Sequence, residues 1–219
     1  MELVKEFMII GGQKVSETPD LKVFENESLI KLRNDLINEE ILETINAYKN
    51  NDIKEQKDGI ADIAYVTYGY LITIGCQNLD VDHIKTYNDI NDDLTISLIL
   101  KKLSYIYDDM KDINNKQKLD NEYSKLYYLS YQLNYIINLL EKYANILGYK
   151  LIDLINVVHT SNMTKFPKTI VEAEFTINKY VDHPLYKGVH YEKVNDYYVV
   201  KSDAGKILKS IYYKDPIWT

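Results

Sequence analysis

The chain has 219 residues, 46% of them hydrophobic, a formal net charge of −7 and a single arginine. That length and apolar content suit one sizeable core plus a tail and exclude a disordered chain. The lack of any basic stripe argues against nucleic-acid binding, and the lone Cys76 excludes an internal disulfide and points to a reducing, cytoplasmic setting.

Met1–Ile10 reads as a short helix stopped by Gly11-Gly12, and its Glu2, Lys5 and Glu6 are wrong for a secretory signal. Gln13–Glu25, with Thr18-Pro19-Asp20, reads as an ordered loop. Ser28 is the expected N-cap of a helix reaching Asn50, with Leu29, Leu32, Leu36, Ile41 and Ile45 at helical spacing. After the break at Asn50-Asn51-Asp52, a second long helix is expected from Ile53 to Ile74. It is apolar almost all round after Asp58, and Gly75 ends it. Its apolar stretch Ile60–Ile74 contains Asp62 and is shorter than the ~20 residues of a membrane span, so no membrane partner is expected.

Further helices are expected over Leu94–Lys111 and Leu119–Leu147, separated by the polar turn Asp112–Lys116. Another, over Leu151–His159, leads into Ser161-Asn162-Met163-Thr164-Lys165. The last fifty residues hold Pro167, Pro184 and Pro216, the run Tyr197-Tyr198-Val199-Val200, and Gly205 in a turn. They read as an irregular tail with a small β-hairpin, folded back over the bundle. The sequence thus predicts an all-α domain over residues 1–165 and an irregular extension over 166–219.

Carboxylates are the chemistry-bearing pattern. Glu39 and Glu43 stand four apart, Glu40 and Glu43 three apart, and Asp58 and Asp62 four apart, so each pair shares a helix face. Alone, a glutamate cluster is usually a solvated face, and a first-turn aspartate often only complements the helix dipole. Asp62 is harder to dismiss, because it stands among Ile60, Ala61, Ile63, Ala64 and Val66, where a charged group needs a cation or a donor. Two helices each offering two acids to one groove would suit a hard cation such as Mg²⁺. None of His83, His159, His183 and His190 follows a glutamate by three, which counts against a ferritin-like di-iron bundle. Phosphate-loop and nucleophile-elbow motifs are also lacking.

The run Leu32-Arg33, Leu36-Ile37, Glu39-Glu40-x-x-Glu43, then Asp58-Gly59-Ile60-Ala61-Asp62, then Ser161-Asn162-Met163-x-Lys165 resembles the MazG-like, phosphoribosyl-ATP pyrophosphohydrolase-like superfamily. The resemblance extends to Gly12-Gln13 and Thr18-Pro19 upstream and to Gly205-Lys206-x-x-Lys209 with Tyr213 downstream. It implies a MazG-like helical bundle that hydrolyses a nucleoside triphosphate to monophosphate and pyrophosphate. It further implies Mg²⁺, for which Mn²⁺ substitutes, held by Glu40, Glu43, Asp58 and Asp62. Glu39 and Glu40 would serve catalysis, with Glu39 as a further ligand or as base for the attacking water. The nucleotide would be contacted by Asn162, Lys165, Lys206, Lys209 and Gln13, in a homodimer or homotetramer. The departure is Gly59, where many members carry an acid; Asp58 is the natural substitute. Two alternatives stand beside this reading: a phosphoribosyl-ATP pyrophosphohydrolase of histidine synthesis, and a non-catalytic helical interaction protein on the same bundle.

Overall fold

A computed structural model describes residues 1–78, 94–113 and 121–218. Seven α-helices lie among them: α1 Glu2–Ile10, α2 Glu27–Lys49, α3 Ile53–Ile74, α4 Ile96–Met110, α5 Glu122–Ile146, α6 Leu151–Asn162 and α7 Ile170–Lys179. A two-stranded antiparallel hairpin follows, β1 His190–Val194 and β2 Tyr197–Lys201. The chain is therefore mostly helical, as expected. No helix among the described residues is long and apolar enough to cross a membrane.

Caps explain most boundaries. α2 begins one residue before the expected Ser28 cap, because the Asn26 side chain accepts the Leu29 amide at 3.0 Å. Both residues suit an N-cap, and the earlier one captures the free amide. Asp52 caps α3 through the Glu55 amide at 3.1 Å. Gly75 ends α3 with φ 71, in the left-handed region that glycine adopts without strain. Thr95 and Asn121 cap α4 and α5. The expected turn at Asp112–Lys116 and the start of its following helix fall partly outside the described residues. α6 runs past the expected end at His159 to Asn162, and a 3₁₀ turn over Met163–Lys165 follows.

The tail corrects one expectation, since it contains a helix. Thr169 and Glu172 form a capping box at the start of α7, and Glu172 also accepts the Lys168 amide at 2.7 Å. The hairpin falls where the alternation placed it, and Asn195 takes φ 52 in its turn.

Two compact units are distinguished, one of Ser16–Ile155 and one of Met1–Val15 with Asn156–Thr219. In the first, α2 packs on α3 and α4, and α5 packs on α3 and α4, closing a four-helix ring. Its core includes Ile37, Ile60, Ile63, Leu103, Leu133, Ile136 and Tyr143. The Tyr143 hydroxyl donates to Gln56 Oε1 at 2.8 Å, which pairs these two buried polar groups of α5 and α3. In the second unit, Ala173 and Tyr180 on or beside α7 pack against Val200 and Leu208. Phe166 meets Phe7 of α1 at 5.0 Å between ring centroids and Tyr197 at 6.0 Å.

Candidate functional site

α2 buries Ile30, Arg33, Asn34, Ile37, Ile41, Thr44 and Ala47. Glu40 stands three after Ile37 and four before Thr44, inside that stripe, and is half-buried. Glu39 is half-buried beside it, and Glu43 is exposed. α3 is buried at every position from Gln56 to Ile74 except Asp58, Asp62, Val66 and Tyr68. The first three recur every fourth residue, so they share one strip of the helix. Asp62, expected among apolar neighbours, thus lies on the strip that solvent reaches. Its carboxylate keeps part of its hydration while Ile60, Ala61 and Ile63 go to the core.

Gly59 explains how closely the two helices meet. A Cβ there would collide with Thr44 Oγ1 and lie 3.0 Å from Thr44 Cβ and 3.3 Å from Thr44 Cα. The Thr44 hydroxyl is itself fixed, donating to the Glu40 carbonyl at 2.7 Å. The loop before α2 also meets the far end of α3, where the Asp20 amide donates to the Ile74 carbonyl at 3.0 Å. Helices α2 and α3 are therefore antiparallel. Counting outward from the point where Thr44 meets Gly59, Glu40 falls level with Asp62 and Ile63, Ile37 with Val66, and Arg33 with Tyr70. The last pairing has independent support: Arg33 and Tyr70 each perturb the other's titration. Burial lowers the Arg33 pKa to about 10, with Tyr70 acting against that shift. Burial raises the Tyr70 hydroxyl, and Arg33 opposes it.

One seam thus carries Thr44–Gly59, then the Glu40 and Asp62 level, then Arg33–Tyr70. Among the described residues, no three His, Cys, Asp or Glu side chains are gathered closely enough to hold a metal ion on their own. What the seam offers is two carboxylates at one level. That donor set fits Mg²⁺, which is typically held by one or two carboxylates together with waters and substrate phosphates. It does not fit a softer metal, which would call for imidazole or thiolate.

The expected substrate contacts all belong to the other compact unit. Gln13 follows the Gly11-Gly12 turn, where its amide donates to the Met8 carbonyl at 2.8 Å. Asn162 is buried at the last position of α6. The Lys165 ammonium is 5.9 Å from the centroids of both Phe7 and Tyr213. Lys209 stands over the same Tyr213 ring at 4.4 Å, whereas Lys206 lies over Tyr186 at 5.8 Å. Lys165 and Lys209 are therefore brought together on one ring, and Lys206 uses another. Sequence reasoning gave no role to Tyr213, and it saw Arg33 only as part of a motif. Nothing in the local pattern marked Arg33 as buried, because its partner stands 37 positions away in the sequence.

Residues 4–85 match the family model described as phosphoribosyl-ATP pyrophosphohydrolase. The chain is also 31% identical over 232 residues to an uncharacterized protein of Acanthamoeba polyphaga mimivirus, an alignment spanning 98% of this chain and 92% of that protein. No solved structure matches the chain.

Proposed function

The chain belongs to the MazG-like nucleotide pyrophosphatase superfamily, with a phosphoribosyl-ATP pyrophosphohydrolase domain at residues 4–85, and on that premise we propose that it is a Mg²⁺-dependent hydrolase cleaving a nucleoside or deoxynucleoside triphosphate to monophosphate and pyrophosphate. The observation that carries this reading is the placing of Glu40 and Asp62 at one level of the α2–α3 seam, both half-buried.

Glu40 and Asp62 are the residues that would hold Mg²⁺, with Asp58 on the same strip of α3 and Glu43 at the exposed edge of α2. When bound, the ion neutralises charge on the phosphate oxygens and lowers the pKa of a coordinated water. Glu39, half-buried one residue before Glu40, is the base for the attacking water. The water oxygen bonds to phosphorus, its proton passes to the carboxylate, and the anhydride bond breaks to release pyrophosphate. Half-burial serves this chemistry, because a carboxylate with part of its hydration removed attracts a cation more strongly than one in bulk water. Lys165 and Lys209 supply point charges suited to phosphate.

The test is a panel of ribonucleoside and deoxynucleoside triphosphates, with phosphoribosyl-ATP included, assayed for pyrophosphate release with Mg²⁺ and with EDTA. The proposal expects Mg²⁺-dependent release from at least one triphosphate. Release from phosphoribosyl-ATP alone would move the chain to histidine synthesis, and no release from any of them would leave a non-catalytic bundle.

A further inference from the structure

Beyond α6, the segment Ser210–Lys214 is laced back to the end of that helix. Ser161 Oγ shares hydrogen bonds with the Tyr213 hydroxyl at 2.9 Å and the Lys214 carbonyl at 2.6 Å. Ser210 Oγ donates to the Thr164 carbonyl at 2.9 Å, and the Lys214 amide donates to Thr164 Oγ1 at 2.9 Å. Ser161 and Ser210 are both buried, so the three bonds their hydroxyls make are partly shielded from water, which strengthens the strap. The strap's consequence is electrostatic. It delivers Tyr213 with Lys209 at 4.4 Å from the ring centroid, and Lys165 reaches the same centroid at 5.9 Å. The two ammonium nitrogens therefore lie no more than roughly 10 Å apart, about one screening length at 0.1 M salt, so their fields overlap.

We propose that Tyr213 is a positioning residue that pairs Lys165 with Lys209 into one two-cation site for the pyrophosphate part of a nucleotide. The identity of the anion rests on the pyrophosphohydrolase reading; the pairing rests on the strap. The ring's negative face attracts each ammonium and offsets part of their mutual repulsion. The hydroxyl bond to Ser161 fixes the ring. Two lysines, each a compact point charge, suit the several oxygens of a diphosphate better than a planar carboxylate, which favours arginine's fork. Lys206, on the Tyr186 ring, stands outside this pair.

The experiment is calorimetric titration of the full chain with inorganic pyrophosphate in EDTA, so that metal held by carboxylates contributes nothing. Lys165→Ala and Lys209→Ala should each weaken binding ~10-fold, the scale of one lost charge contact. Tyr213→Leu should cost as much, whereas Tyr213→Phe, which keeps the ring, should stay within about threefold. Lys209→Ala added to Tyr213→Leu should change little, because Lys209 has already lost its placement. The pairing is overturned if Tyr213→Leu, folded by its thermal transition, binds pyrophosphate as the parent does. It is equally overturned if Lys209→Ala costs the same factor with and without the ring, or if the parent chain does not bind pyrophosphate. Should Tyr213→Leu fail to fold, Tyr213→Phe together with the two lysine variants decides the matter. Turnover is not read, so the two ideas fail separately. Binding of this pattern without release from nucleotides removes the hydrolase reading alone, and release with an indifferent Tyr213 removes the pairing alone.

Discussion

Replacing Gly59 with alanine probes the close approach that sets the α2–α3 seam. In a helix interior such a change ordinarily stabilises by about 1 kcal/mol, since glycine costs backbone entropy. Here the new methyl would collide with Thr44 Oγ1 and stand 3.0 Å from Thr44 Cβ and 3.3 Å from its Cα. Rotating the threonine relieves only the first clash, at the expense of its bond to the Glu40 carbonyl. The other two are relieved only when the helices move apart. Overpacking of this kind costs roughly 1–3 kcal/mol, and crowding against the main chain of Thr44, which no rotamer change can relieve, puts it in the upper half of that range. Net destabilisation by about 1–2 kcal/mol should follow, read as a lower urea midpoint at unchanged slope. Glutamate at position 59, larger than alanine and charged, should fit worse still. The cycle with Thr44→Ala isolates the cause: without Oγ1, the penalty of Gly59→Ala should fall by ~1 kcal/mol. Gly59→Ala that stabilises the chain, or a cycle without coupling, would refute the close approach.

Other parts of the structure give separate expectations. Burial holds the His159 pKa below its ordinary 6.5, with Glu6, 3.4 Å away, acting against that shift. The folded state then carries fewer protons than the unfolded one, so stability is complete above pH 6.5 and lost as pH falls below it. His159→Gln should flatten that slope between pH 7.5 and 5.5, and an unchanged slope contradicts the assignment. The Cys76 thiol is 1% exposed, and burial pushes its pKa up to about 11 against a hydrogen bond to Ser130. It should react with a disulfide reagent at pH 8 only slowly in the native chain and readily in denaturant; equal rates would contradict its burial. Thr169→Ala removes half of the capping box on α7 and should cost ~1 kcal/mol, seen as faster amide exchange at Val171–Ala173. Exchange unchanged there would show that packing alone holds this end.

Much of this was legible locally. α3 was readable to the residue because an aspartate cap, a continuous apolar run and a left-handed glycine all act within a few positions. The second strand of the hairpin, Tyr197–Lys201, was legible for the same reason, through the run Tyr197-Tyr198-Val199-Val200. α7 was missed although Thr169-x-x-Glu172 carries the capping signal, because nearby prolines and a length of ten residues made the segment resemble a loop. The carboxylate spacings were visible, but their level was not. That Glu40 stands level with Asp62 follows from where Thr44 touches Gly59, a tertiary packing with no local signature. Gly59 itself looked like a missing ligand and proves to be the residue that lets the helices close. The pairing of Lys165 with Lys209 was equally hidden, since it depends on hydrogen bonds spanning some fifty positions.

Manganese binding followed by electron paramagnetic resonance, with a non-hydrolysable triphosphate present, addresses the α2–α3 carboxylates most directly. The parent chain should immobilise Mn²⁺, and Glu40→Gln or Asp62→Asn should each abolish that signal, while Glu55→Gln, exposed in the first turn of α3, leaves it intact. Equal immobilisation by the parent, Glu40→Gln and Asp62→Asn would contradict the account at its centre.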